Sequence, residues 1–140
     1  MTTSHFEVAE RVRWEDVDLV GIVRYSAYTR LLDVAEAELF RAVGLGHPAI
    51  LDRWRVWLVR RVLHLEYHAP AVFDALLRVR VHVARVGRTS LALAFSITSD
   101  DGAVRHATGE LVLVAVEAES MTATEVPAGI VEALADYRAR

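Results

Sequence analysis

The sequence predicts an α+β domain in which one long helix lies against an antiparallel sheet. Apolar residues recur at helical spacing over one long stretch near the N-terminus. Period-two alternation follows in four successive runs, broken by turn residues. A helix ahead of a meander suggests a sheet wrapped round that helix.

Each element has its own signal. From His5 to Trp14, Phe6, Val8, Val12 and Trp14 alternate with Glu7, Arg11 and Arg13, the pattern of a strand. A loop, EDVDLVGIVRY, follows. From Ser26 to Val43 the period changes: Tyr28, Leu31, Leu32, Ala35, Leu39 and Val43 share one face, with Arg30, Asp33, Glu36 and Arg41 between them. Ser26 is a candidate N-cap, and Gly44 stands where helices stop. After a loop holding Gly46, Pro48 and Asp52, Trp54 to Tyr67 is rich in Val, Leu, Trp and Tyr and reads as a strand. His68-Ala69-Pro70 interrupts it. Leu77 to Val83 alternates with arginine and histidine, and Gly87-Arg88 makes a turn. Leu91 to Ile97 alternates with small residues, Asp101-Gly102 signals a hairpin, and Ala103 to Glu117 is a long apolar strand. Pro127 suits the first turn of a last helix carrying Ile130, Leu134 and Tyr137.

The 140 residues make one domain, 1–140, with no internal repeat or linker. A hydrophobic fraction of 54% is high for one small monomer, yet no apolar run approaches the roughly 20 residues of a membrane helix. The excess points to subunit association rather than to lipid. Net charge is -3 and all 16 basic residues are arginine, which removes lysine chemistry; no basic tail or cluster large enough for a nucleic-acid footprint occurs. Cysteine is absent, so disulfides, thiolate metal sites and cysteine nucleophiles are excluded. No signal core opens the chain, and the cytoplasm is the expected compartment.

The stretch from Trp14 to Tyr28 is hard to explain by packing. Glu15, Asp16 and Asp18 sit in a loop otherwise made of Val, Leu and Ile, and the loop ends at a helix start. An acid among apolar groups tends to hold its proton to higher pH, which suits base or nucleophile work near neutrality. The helix start adds free N–H groups and a positive dipole end. Acids before a helix are also ordinary caps and dipole partners, and that reading stands beside the first.

Trp14, Asp16, Asp18, Gly21, Val23, Tyr25 and Tyr28 fill an aromatic-x-D-x-D-x-x-G-x-V-x-(Y/F) loop followed by an aromatic three residues on. Glu66 to Pro70, Gly87 to Ser90 and Glu125 to Pro127 supply further matches. On these the chain resembles the 4-hydroxybenzoyl-CoA thioesterase family of hotdog proteins, with some similarity to the hotdog thioesterases of enediyne polyketide pathways. The resemblance implies a long helix, Ser26 to Val43, wrapped by a five-stranded antiparallel sheet. It implies hydrolysis of an acyl-CoA or acyl-carrier-protein thioester, in polyketide or aromatic-acid metabolism. Asp18 would be nucleophile or general base. The Tyr25 N–H would polarise the thioester carbonyl, and Gly21 would let the loop approach substrate. Asp16 and Tyr28 would line the site, Asp16 by ordering its loop. Arg24 departs from the family, which usually carries an apolar residue there: it either lines the acyl pocket and favours a polar or acidic acyl group, or points to a subunit interface. Arg88, Thr89 and Ser90 would meet the nucleotide end of CoA, with Arg85 near its phosphates. No cofactor or metal is implied. A homodimer, doubled into a homotetramer, would share each site between chains: Asp18 and Tyr25 from one, parts of the Trp54 to Tyr67 strand from the other. Membrane and nucleic acid are not expected partners.

Several other constellations were weighed. His64 and His68 are about 13 Å apart on a strand, too far for one metal, and both read as structural. Glu36 and Glu38 read as helix-surface or interface acids, although a second hotdog branch places a catalytic glutamate on its helix. Trp54 and Trp57 read as core or interface. No G-x-S-x-G elbow and no phosphate-binding glycine loop occur. The rivals to hydrolysis are a hotdog dehydratase or hydratase, which needs a histidine absent from this loop and helix, and a non-catalytic acyl-thioester binding module.

Overall fold

A sheet of five antiparallel strands in the order β1-β3-β4-β5-β2 curls round one long helix. The computed structural model describes residues 4–139. The strands are β1 (Phe6–Arg11), β2 (Val56–Tyr67), β3 (Leu76–Val86), β4 (Ser90–Ser99) and β5 (Arg105–Glu117). The helices are α1 (Tyr28–Ala42), α2 (Ala49–Trp54) and α3 (Ala128–Ala133). This is the expected hotdog arrangement. No helix among the described residues is long and apolar enough to cross a membrane.

Alternation places the core. Leu77, Val79, Val81 and Val83 of β3 and Leu91, Leu93, Phe95 and Ile97 of β4 all face inward and are buried. Tyr28, Leu31, Leu32, Ala35 and Leu39 give α1 its apolar stripe, which lies over β1 and β3.

Four boundaries differ from expectation. Trp54 ends α2 and is not on a strand; the loop holding Pro48 and Asp52 folds into that short helix. Trp14 does not continue β1 inward. It sits in a 3₁₀ turn, Trp14–Asp16, largely exposed, its ring meeting Phe73 edge-on at 5.2 Å. The long helix opens with a 3₁₀ turn, Tyr25–Ala27, before α1 proper. Ser26 does not cap it; the Ser26 carbonyl instead accepts the Thr29 hydroxyl at 2.8 Å. β5 starts at Arg105, because Ser99 to Val104 close the β4–β5 turn through Val104 N–H to the Ser99 hydroxyl and Ser99 N–H to the Val104 carbonyl.

A bulge shapes β2. Arg60 pairs with Leu113 and Val62 with Val112, so Arg61 is an extra residue. The extra residue shifts the alternation by one, which no period read along Trp54 to Tyr67 reveals. Val56, Leu58 and Arg60 thus share a face with Leu63, Leu65 and Tyr67.

Candidate active site

The loop between β1 and α1 is a miniature hairpin with Asp18 at its turn. Asp18 N–H donates to the Ile22 carbonyl at 3.0 Å, and Val17 bridges Val23. Gly21 N–H closes the turn on the Asp18 carbonyl at 3.0 Å. The Asp18 carboxylate accepts the Val20 N–H at 2.9 Å, a local Asx contact that leaves its second oxygen free of the turn. Gly21 takes φ +88°, a left-handed backbone that glycine adopts without steric cost. The second arm of the hairpin is pinned from outside: Val23 N–H donates to Ala71, Phe73 N–H to Gly21, and Ile22 bridges Val72.

Asp16 holds the loop from below. It is 3% exposed, and Arg30 of α1 grips it with two hydrogen bonds, 2.8 and 2.6 Å. The Arg13 N–H adds a third, and Arg30 also reaches Glu10 of β1 at 2.7 Å. Burial alone pushes the Asp16 carboxyl up. The hydrogen bonds from Arg30 and the Arg13 N–H together outweigh it and hold the group below its ordinary range. One arginine therefore ties the start of α1 to both β1 and the Asp18 hairpin.

Above this anchor lies a groove of about 490 Å³. Asp18, Arg24 and Tyr25 stand along one side, Ile22, Val23 and Tyr28 form its floor, and Tyr67 to Pro70 form the far wall. Tyr28 is buried and meets Tyr67 edge-on at 5.2 Å; burial holds the Tyr28 phenol above its usual range, and the Tyr67 hydroxyl donates to the Tyr25 carbonyl at 3.2 Å. No side chain caps the 3₁₀ turn that begins at Tyr25. Its leading N–H groups have no intrahelical partner and sit at the positive end of α1. An acid and free N–H donors thus border one groove, as acyl transfer requires.

The sequence-predicted residues divide. Asp18, Tyr25, Tyr28 and Arg24 border the groove, with Gly21 setting the turn beside it. Asp16 does not open onto it, being buried against Arg30. Asp18 itself is not enclosed by apolar side chains within one chain: Leu19 and Val20 point to solvent. Arg24 donates to the Glu15 carbonyl and makes no salt bridge among the described residues. Arg88, Thr89 and Ser90 lie elsewhere. Ser90 pairs with Val114, whereas Tyr67 pairs with Ala107. Seven residues of β5 put them about 23 Å apart. Arg85 is paired with Glu110.

Two wall residues were not singled out by the sequence reading. Tyr67, within the strand expected to contribute from a second chain, lines the Asp18 groove of its own chain. His68, read as structural, lines that groove while its Nε2 contacts the Thr108 hydroxyl at 2.9 Å. Glu36 is not a surface acid, since its side chain is 13% exposed. Contacts between residues 21–25 and 67–73 bring the His68 turn to the loop, and no local pattern encodes them.

The profile of the thioesterase-like superfamily matches residues 12–134, which hold the hairpin, α1 and strands β2 to β5. This chain belongs to that superfamily. It is 28% identical over 131 residues to the acyl-CoA thioester hydrolase YbgC of Escherichia coli, covering 94% of this chain and 96% of the relative. Two solved structures share the fold. The 1,4-dihydroxy-2-naphthoyl-CoA thioesterase of Synechocystis superposes with a TM-score of 0.86 at 16% identity, covering 95% of this chain and 97% of that one. The dynemicin thioesterase, an enediyne-pathway protein, superposes at 0.86 with 19% identity, covering 98% and 99%. The chain is thus a thioesterase-family enzyme, and the groove beside Asp18 is its candidate active site.

Proposed function

We propose that this enzyme hydrolyses an acyl-CoA thioester to free acid and thiol at the Asp18 groove. One observation carries the reading: the Asp18 carboxylate and the uncapped N–H groups at Tyr25 border the same groove. The donors stabilise the oxygen of the tetrahedral intermediate, an effect commonly worth about 3 kcal/mol per donor. Asp18 either attacks the carbonyl, giving an anhydride that water opens, or takes a proton from attacking water. In both routes the C–S bond breaks, and the thiolate leaves with a proton from solvent. Single-turnover hydrolysis in ¹⁸O-water tests the first route, because only an anhydride opened at the Asp18 carbon puts solvent oxygen on Asp18 and releases a first product acid with no solvent oxygen. Asp18→Asn should fold normally and lower kcat at least a hundredfold in a thiol-release assay. Near-normal turnover would sink the role.

The relative from Escherichia coli is an acyl-CoA thioester hydrolase, which favours CoA as the thiol carrier. Arg88, Thr89 and Ser90 do not line the Asp18 groove in one chain. In this reading they meet the nucleotide end of CoA, remote from the reacting bond, from the same chain or from a second one. An acyl-carrier protein is the alternative carrier, and both carriers belong in the same assay. Arg24, charged and without a carboxylate partner among the described residues, favours a polar or acidic acyl group. Arg24→Leu should raise KM for an acidic acyl-CoA several-fold more than for a neutral one.

A second reading gains from His68. It lines the same groove as Asp18, so the groove holds both a histidine and an acid, the residue types a hydratase or dehydratase needs. Enoyl-CoA absorbance without thiol release would favour that reading.

A further inference from the structure

The far wall of the Asp18 groove includes the turn His68-Ala69-Pro70, and one residue of β5 grips that turn. The ladder between β2 and β5 ends at the pair of Tyr67 and Ala107. Beyond it the His106 carbonyl accepts two N–H groups, from His68 at 2.8 Å and from Ala69 at 3.3 Å. The His106 imidazole adds a third bond. Its Nδ1 lies 3.0 Å from the Ala69 carbonyl, and since a carbonyl only accepts, Nδ1 donates.

His106 owes this aim to an irregular register. Ile97 of β4 pairs with Ala107 and Thr98 with Arg105, so His106 is an extra residue on β5. A bulge of this kind re-aims a side chain, and bulges are frequent beside active sites. His106 is 7% exposed. A buried polar side chain is normally satisfied, and here its partner is the wall of a groove rather than a core group. Further along the same segment, the Ala71 carbonyl accepts the Val23 N–H at 2.8 Å. The wall therefore hangs between His106 on the sheet and Val23 on the hairpin. The Asp18 side of the groove has a separate anchor in Asp16 and Arg30.

We propose that His106 is a positioning residue that sets the width of the Asp18 groove, holding the His68-Ala69-Pro70 wall against the acyl group without touching the reacting atoms. Moving the Nδ1 donor away frees the Ala69 carbonyl and lets the wall shift outward, so the acyl group is held less tightly. Asp18 and the start of α1 stay on the Arg30 anchor. The loss therefore falls on KM and spares kcat. This rests on the acyl-thioester reading of the groove.

The test uses the full chain and a panel of aromatic, short, branched and long acyl-CoAs, read by thiol release. Asparagine carries its amide N–H close to the place of Nδ1, and glutamine carries it one methylene further out. On the best substrate of the wild type, His106→Gln should raise KM about fivefold or more and leave kcat within about twofold. His106→Asn should bring KM back to within about twofold of the wild type. In the wild type itself, a non-hydrolysable thioether analogue should shift the ¹⁵N resonance of His106 Nδ1, a readout that needs no variant to fold. An unmoved resonance on binding overturns the proposal. So does a His106→Gln protein that melts lower with unchanged KM, or one that loses kcat alone; both leave the hydrolase reading standing. If no member of the panel is hydrolysed, the hydrolase reading falls, and calorimetry with the thioethers decides the wall. A Kd weakened in His106→Gln and restored in His106→Asn upholds the role of His106, and equal Kd values overturn it. Absence of thioether binding overturns both.

Discussion

Asp16 and Asp18 stand two residues apart and face opposite surroundings. Asp16 is buried, with three hydrogen bonds from Arg30 and Arg13; Asp18 is exposed and bonded only to its own turn. Removing one partner of a buried pair strands the other, so Asp16→Asn should cost about 3 kcal/mol of stability in urea unfolding. Asp18→Asn should cost almost none. The sign with pH follows from the lowered Asp16 group. Its contribution is full above the unfolded carboxylate value near 4 and is lost as pH falls through the lowered folded value. The melting gap between wild type and Asp16→Asn should therefore narrow below pH 4. Glu36 behaves oppositely. Its folded value is raised, so stability is fullest below the unfolded value and declines as pH rises toward the folded one. Glu36→Leu should gain on the wild type in melting temperature between pH 4 and pH 7.

At the scale of elements, register decides more than propensity. Gly109 of β5 lies between Leu65 of β2 and Phe95 of β4. A Cβ there would come within 2.7 Å of the Leu65 side chain and 3.0 Å of the His64 carbonyl. Gly109→Val should cost about 2 kcal/mol by overpacking, read from the unfolding midpoint. The Arg61 bulge turns Tyr67 toward Tyr28 and so builds the far wall of the Asp18 groove. In the sequence β2 is plain as a strand, yet which of its side chains face the helix is not, because one unpaired residue inverts the alternation.

At the scale of the molecule, β2 is an edge strand of twelve residues. It leaves Trp57, Val62, Leu63 and Tyr67 substantially exposed. A long apolar edge is a template for pairing with another chain. Such pairing agrees with the high apolar fraction and with the homodimer and homotetramer expected from the resemblance. Analytical ultracentrifugation should give at least twice the monomer mass. Val62→Asp should shift it toward monomer and lower activity. A fully active monomer would refute shared sites.

The sequence by itself determined the order of the strands, of the long helix and of the last helix, though not α2, together with the apolar stripe of α1 and the acid-bearing loop before it. These are local patterns, written in spacing and turn residues within a few positions. The motif separated Asp18 from Asp16, and their surroundings are consistent with different tasks. Tertiary structure alone decided that Tyr67 and His68 line one groove with Asp18, that Arg88 does not within one chain, and that one oxygen of the half-buried Glu36 has no partner among the described residues. Each depends on residues more than twenty positions apart meeting through sheet register. Periodicity along the chain carries no record of which strand lies beside which.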